Sequence, residues 1–426
     1  MQTRFQPELY AIDFGTTNSL LAAAGKSGVH PPIDLDETAP DPTIMRTVLY
    51  FPSAERCLYG SRAIAEYSAS GMQGRLIRSI KKHLPSRSFI GTHIEDRPMN
   101  LEDLIGAFLG EMRARANRFF DTDVRRAVLG RPARFAQAAE DDEHAQYRLE
   151  RAARIAGFTD VSFCPEPIAA AREFRSTLRE PKLVLVGDFG GGTSDFTVMR
   201  MRGDRYDPSD VLAIGAVSVA GDALDACIMR SHVSRHFGAD VRYKVPMGSN
   251  VLQMPPALME KLCSPADASI LQMHEALPFL RNVQAWSLGP DDSRCIEQLF
   301  TFVEDRLGFE VFEVIERVKR ELSQSAATTL EFKYPTIDIV ESIARRAFEQ
   351  STEKRTEAIL AELDATLQRA GVAHREIEIV CCTGGTARVP AISDGLARRF
   401  GRDKLTDFKN FHSVIHGLAE HAAGLI

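Results

Sequence analysis

The stretch that decides the fold reads Lys182-Leu-Val-Leu-Val-Gly-Asp188-Phe-Gly-Gly-Gly-Thr193-Ser-Asp195, and an apolar run, Phe196 to Met201, follows it. Its first half is the continuous apolar run that a fully buried strand carries. Two strands joined by a glycine-rich turn predict a hairpin. Working outward, the same grammar occurs 175 residues earlier, in Ala11-Ile-Asp13-Phe-Gly15-Thr16-Thr17 followed by Asn18. Each copy has an apolar strand, an Asp, Phe-Gly, then Thr. Two copies imply two related halves, each offering a turn able to grip phosphate.

The chemistry of such a turn follows from its residues. Glycine lets the backbone approach an anion closely, and successive N–H groups and hydroxyls then face it. An Asp at the strand end would repel a phosphate directly. It can hold Mg²⁺ through water, because Mg²⁺ favours oxygen ligands and keeps several waters. Asp13, Asp188 and Asp195 thus form a candidate acidic floor, with Thr16 and Thr193 beside it. Ordinary turns select the same residues, so a lone copy says little and the matched pair says more. No Gly-Lys-Ser/Thr follows the glycines, so this is not a Walker motif.

The remaining chain fills in around these turns. With 426 residues, 44% of them hydrophobic, two lobes are expected from domain-size scaling. Val48 to Phe51, Ala127 to Gly130 and Ile377 to Cys382 read as strands. Apolar spacing at Leu104, Phe108 and Met112 predicts a helix over 101–120. Ala136 to Ala156 reads as a helix that Gly157 ends. Phe309 to Ser323 and Ile343 to Arg369 are further helices. Between them, Thr329 to Tyr334 and Ile337 to Glu341 form a hairpin around Pro335. Tyr243 to Pro290, richer in Pro, Met and Gly, reads as an irregular insertion. No short repeat of solenoid type is visible.

Composition narrows the function. The net charge is −6 and the pI about 6.0, without the clustered basic excess of a nucleic-acid surface. No apolar run reaches the length of a membrane helix, and the first residues lack the apolar core of a signal peptide. The seven cysteines show no metal-ligand spacing and suggest a reducing, cytoplasmic setting. No base is placed by sequence beside any of them, so a catalytic cysteine is not expected.

Taken together, the motifs resemble the nucleotide-binding domain of the seventy-kilodalton heat-shock chaperones, in the actin-like ATPase superfamily. Ile12 to Ser19 looks like the family's first phosphate motif and Asp188 to Asp195 like its second. Arg154-Ile-Ala-Gly-Phe158 and Pro165-Glu166-Pro167-Ile-Ala-Ala170 resemble the connecting segment. Glu316-Arg-Val-Lys319-Arg320-Glu-Leu-Ser323 resembles the adenosine-binding helix, and Thr383-Gly384-Gly385-Thr-Ala-Arg388-Val-Pro390 the adenosine motif. All stand in the family's order.

The resemblance implies an α/β fold of two lobes, each with a mixed sheet flanked by helices, and the nucleotide in the cleft between them. Lobe I would span 1–182, with the final helix, 408–426, packing back near it. Lobe II would span 183–407, with a largely helical inserted subdomain at about 222–345. Asp13, Asp188 and Asp195 would surround Mg²⁺ and any K⁺. Gly15, Thr16, Thr17 and Asn18 would hold the phosphates from one side, and Gly190, Gly191, Gly192 and Thr193 from the other. Lys81 aligns with the family's catalytic lysine; without that match it reads as a solvated charge in a basic stretch. Glu166 would orient water near the metal, and Asp188 and Thr193 join Lys81 and Glu166 in the chemistry. Glu316, Lys319, Ser323, Gly384 and Gly385 would bind adenosine, with Arg320 and Arg388 stacked on the adenine. The segment Lys409 to Gly417 lacks the acid with which the family's last helix begins, and Asp222 to Glu316 is longer than in the family.

The function implied is Mg²⁺-dependent ATP binding and slow hydrolysis driving lobe closure, in a chaperone-like cytoplasmic protein. The sequence reaches Ile426 without a Leu-rich linker or peptide-binding β-sandwich, as in the truncated YegD-like branch. The expected partner is therefore a protein reading the nucleotide state, with no peptide clamp in cis, no membrane and no nucleic acid. Rival readings are an actin-like filament protein, a nucleotide-sensing regulatory scaffold and a small-molecule kinase of the same superfamily.

Overall fold

A computed structural model describes residues 5–71, 73–136, 138–175, 178, 180–202, 208–268, 277–305, 307–407 and 413–426. The chain forms two compact units. The first comprises Met1–Ser218, Leu360–Ala387 and Gly395–Ile426; the second comprises Val219–Ile359 and Arg388–Asp394.

The first unit holds two mixed sheets of the same design. In the first sheet, strands β1 (Leu9–Phe14), β2 (Asn18–Gly25) and β3 (Gly28–His30) run as an antiparallel meander, and β4 (Arg126–Arg131) and β5 (Asp160–Pro165) add parallel to β1. The order is β5-β4-β1-β2-β3, and a short strand, Met45–Arg46, also pairs with β2. In the second sheet, β6 (Lys182–Phe189), β7 (Ser194–Met201) and β8 (Val211–Val217) form the meander. There β9 (Ile379–Thr383) and β10 (Leu405–Asp407) lie parallel, giving β10-β9-β6-β7-β8. The sequence echo is therefore an architectural one.

The period-2 alternation of a strand sends successive side chains to opposite faces, and β1 shows what each face meets. Tyr10, Ile12 and Phe14 enter one core with Leu104, Phe108 and Met112 of helix α1 (Leu101–Phe120) and Leu149 of α2 (Ala139–Ile155). Leu9 and Ala11 face the other way, onto Ile168 and Ala169 of α3 (Glu166–Arg175) and Ile415, Leu418 and Ala419 of α4 (Ser413–Ala423). Helix α1 starts where Asn100 and Asp103 form a reciprocal capping box, the Asn100 N–H donating to Asp103 Oδ2 at 3.1 Å. Helix α2 ends at Gly157, whose φ of +91° an L-residue rarely adopts. Ala170 of α3 packs into the core of the second sheet with Val184, Val186, Met199 and Cys381. One helix thus serves both sheets.

In the second unit the helix Gly308–Gln324 buries Phe309, Phe312, Ile315, Val318 and Leu322 at helical spacing. The expected hairpin is present and longer than predicted, Ala327–Tyr334 pairing antiparallel with Ile337–Ala344. The expected helix at 343–369 runs Arg345–Ala370. The stretch read as irregular carries more helix than its composition suggests: Pro256–Leu262, Pro265–Ala268 and Leu277–Trp286, after a two-residue ladder of Arg242–Tyr243 with Leu252–Gln253. Val48–Ser53 is a strand as expected, in a separate three-stranded sheet with Arg56–Tyr59 and Arg75–Arg78. All seven cysteines are free thiols. Among the described residues no helix is long and apolar enough to cross a membrane.

Helix α4 approaches α3 so closely that a Cβ at Gly417 would overlap the Ala169 carbonyl oxygen, a backbone atom that cannot swing away. Gly417→Ala should therefore lower stability by about 1–3 kcal/mol, the usual cost of overpacking. The check is equilibrium denaturation; an unchanged midpoint would show that α4 sits further from α3.

Candidate functional site

The two hairpin turns are built alike. In the first, Phe14 faces Ser19 in register and the Gly15 N–H donates to the Asn18 carbonyl at 3.1 Å. In the second, Phe189 faces Ser194 and the Gly190 N–H donates to the Thr193 carbonyl at 3.0 Å. Each leaves a two-residue tip, Thr16-Thr17 or Gly191-Gly192. A threonine hydroxyl braces each turn from outside it. Thr47 donates to the Gly15 carbonyl at 2.9 Å, and Thr386 to the Gly190 carbonyl at 3.0 Å. Beside the second turn Gly384 has φ +83°, and a Cβ there would overlap the Phe189 carbonyl oxygen. Any side chain at 384 would thus push the loop that carries it off the turn.

The strand-end acids meet one lysine. Lys81 sits in a short turn, Ile80–His83, and its Nζ donates to Glu166 Oε1 at 2.8 Å. The two side chains are 11% and 9% exposed, so the pair is largely shielded from water. Burial works to lower the Lys81 pKa, but the Glu166 and Asp13 carboxylates outweigh it and hold it above the ordinary lysine value. Burial, aided by the Glu166 charge, pushes Asp13 up to about 7. Burial, aided by Asp188, does the same to Asp195, also to about 7. Asp188 is raised by burial and by Glu166, while the Thr383 hydroxyl, donating to its Oδ1 at 2.7 Å, opposes the rise. The Thr193 hydroxyl donates to Asp195 Oδ2 at 2.8 Å.

Four carboxyls therefore share one ammonium. That surplus of negative charge is what a bound cation would relieve, and the chemistry of the donors suits a hard, oxygen-seeking ion. Among the described residues no group of three or more His, Cys, Asp or Glu is arranged to hold a metal ion directly. A cation here would keep water between itself and the carboxylates.

The remaining expected binding residues include Glu316, Lys319, Arg320 and Ser323, on the helix Gly308–Gln324 of the second unit. There Lys319 Nζ donates to Asp225 Oδ2 at 2.8 Å and to the Gly221 carbonyl at 3.3 Å. Burial pushes Asp225 up to about 6 despite that partner. The Ser323 hydroxyl turns back to the Lys319 carbonyl at 3.1 Å. Of the segment Lys409 to Gly417, which the sequence reads as departing from the family, residues 409–412 lie outside the described residues.

Sequence reasoning missed Thr47, Thr383, Thr386 and Asp225. Thr383 and Thr386 flank Gly384-Gly385, and a strand-end hydroxyl beside paired glycines was the available signal. Thr47 and Asp225 had none, since only tertiary folding brings them to their partners.

The raised acids have a consequence for stability. An unfolded Asp gives up its proton near 3.8, whereas folded Asp13 and Asp195 keep theirs up to about 7. Between those values the folded state binds more protons, so stability falls as pH rises through the window and levels off above it. Denaturant midpoints of the ligand-free protein should be higher at pH 5 than at pH 8. Asp13→Asn with Asp195→Asn should flatten that slope; a slope unchanged in the double variant would mean other groups carry it.

A family model described as "Hsp70 protein" matches residues 62–254 and 304–425, leaving the helical insertion between them unmatched. The first turn precedes the match, so its assignment leans on its likeness to the second. A relative described as "Chaperone protein HscA homolog", from Delftia acidovorans (strain DSM 14801 / SPH-1), is 24% identical over 438 residues. The alignment covers 96% of this chain and 57% of that relative, so the chain spans little more than half the relative's length. With the family model matching well over half of the chain and the α/β sheets in the arrangement of an actin-like ATPase fold, the chain belongs to the Hsp70 family.

Proposed function

We propose that this protein binds Mg-ATP and hydrolyses it slowly, in a chaperone-like role. The observation that carries the reading is the Lys81–Glu166 pair, set at 2.8 Å among strand-end aspartates beside two turns of one register. In this reading Thr16, Thr17 and Asn18 hold the phosphates on one side. Gly190, Gly191, Gly192 and Thr193 hold them on the other. Mg²⁺, kept through water by Asp13, Asp188 and Asp195, would neutralise charge on the phosphoryl oxygens. Glu316, Lys319, Arg320, Ser323, Gly384, Gly385 and Arg388 bind the adenosine.

The residues then divide the work. Lys81 donates to the γ-phosphoryl oxygens, where negative charge builds as the bond to the β-phosphate breaks. Glu166 fixes the ammonium by its hydrogen bond and helps orient the attacking water. Asp188, steadied by Thr383, takes a proton from that water. Thr193 supports Asp195. Hydrolysis is coupled to closure of two lobes, 1–182 and 183–407. A protein partner that prefers one nucleotide state must change nucleotide affinity by the same factor, since linkage is reciprocal.

The test separates chemistry from binding. Lys81→Ala should slow single-turnover hydrolysis by ~10²-fold, the scale of one lost transition-state contact, while ATP affinity by calorimetry changes little. Parental rates in that variant would reduce Lys81 to a structural charge. The product must be free phosphate; a phosphorylated organic product would move the protein among the kinases.

A further inference from the structure

The segment carrying Lys81 is a run of turns, in which the Leu84 N–H donates to the Lys81 carbonyl and the Ser86 N–H to the His83 carbonyl, each at 3.1 Å. Ser79 enters it in the left-handed region, φ 55°, and the turn Ile80–His83 follows. From Leu84 to Ile90 the chain has no helix or strand. Ile80 and Leu84 are buried, which fixes where the segment lies. These local anchors place the segment, and the carbonyls of the loop after it need something else to hold them, and with them the aim of Lys81.

That something is Arg148, on α2. Its side chain is 5% exposed, so a charge has been taken out of water and must be matched by polar partners. Nη1 donates to the His83 carbonyl at 3.3 Å and the Ser86 carbonyl at 3.1 Å. Nη2 donates to the Phe89 carbonyl at 3.1 Å. Nε donates to Glu102 Oε1 at 3.0 Å, and Nη2 also reaches Glu102 Oε2 at 3.4 Å. Glu102 lies in the first turn of α1. The guanidinium is thus the hub of one loop: three carbonyls within seven residues converge on a rigid planar fork, and its back is fastened to α1. The His83 ring stacks on Phe89 at 4.0 Å and closes the loop from the other side. None of these contacts lies at the reacting centre, and Arg148 carried no motif that marked it in the sequence.

We propose that Arg148 is the positioning residue for Lys81: it fixes the loop 83–89 and so the turn that presents the ammonium to Glu166. Its role in turnover rests on the ATPase reading above; its role in holding the turn does not. Arginine is required by this geometry. Lysine keeps the charge, but as a compact ammonium it cannot serve three diverging carbonyls and a carboxylate in one plane.

The test uses the whole chain and the variant Arg148→Lys, which keeps a buried cation for Glu102. Melting temperature and near-ultraviolet dichroism first establish that it folds; if it does not, Arg148→Gln, a neutral planar donor, takes its place. The folded variant should bind ATP within about three-fold of the parent, while single-turnover hydrolysis falls about ten- to a hundred-fold, the scale of a misaimed catalytic group. Combined with Lys81→Met it should cost nothing further, because both act through one ammonium. A parental rate in Arg148→Lys, or multiplying losses in the double variant, overturns the proposal. Should the parent itself not hydrolyse ATP, the ATPase reading has failed instead; should Lys81→Met hydrolyse at the parental rate, the role that reading gives Lys81 has failed. Amide exchange then decides: faster exchange confined to 80–90 in Arg148→Lys upholds the positioning role, and parental exchange there overturns it.

Discussion

The first unit is organised around the cost of burying Lys81 and Glu166 together. A shielded ion pair repays its desolvation only when its geometry is good and its remaining bonding capacity is met. Here the ammonium meets a carboxylate at 2.8 Å and feels Asp13 and Asp188 as well. Those aspartates in turn sit where they do because two hairpins end at the same register. Helix α3 begins at Glu166 and then lends Ile168 and Ala169 to one sheet's core and Ala170 to the other's. Displacing Glu166 would therefore disturb the charge balance and the packing of both sheets at once.

Burial decides which acids stay charged. Glu166 is the carboxyl that draws the closest cation, Lys81 Nζ at 2.8 Å. Asp13 and Asp195 have no cation of their own, and burial outweighs the more distant Lys81. The Thr193 hydroxyl offsets part of that penalty at Asp195, and the Thr383 hydroxyl does the same for buried Asp188, without removing it. The centre is thus under electrostatic tension when nothing is bound, and a ligand that brings positive charge lowers its energy.

Much of this was legible in the sequence, for identifiable reasons. The strand–Asp–glycine turn at 182–195 is a local signal, and the hairpin formed within two residues of its predicted bounds. Helix α1 announced itself through Leu104, Phe108 and Met112. The insertion did not, because helices such as Pro256–Leu262 and Leu277–Trp286 are short and carry a proline in the first turn, so each gives only roughly two or three turns in which a spacing could show. The site was legible where it is local, as in the turns and their aspartates. It was illegible where partners are far apart in sequence. Thr47 on Gly15, Thr383 on Asp188 and Arg148 on the loop after Lys81 join elements that only the folded chain brings together.

The two hairpins differ at one position in a way that their likeness brings out. Across from Asp13 stands Leu20; across from Asp188 stands Asp195. Two identical turns would present the same surface twice, and a chain of phosphates lying against them could be read from either end. One leucine exchanged for one aspartate breaks that symmetry. It gives the first turn one strand-end carboxyl and the second turn two, so the duplicated device acquires a polarity that neither copy has alone.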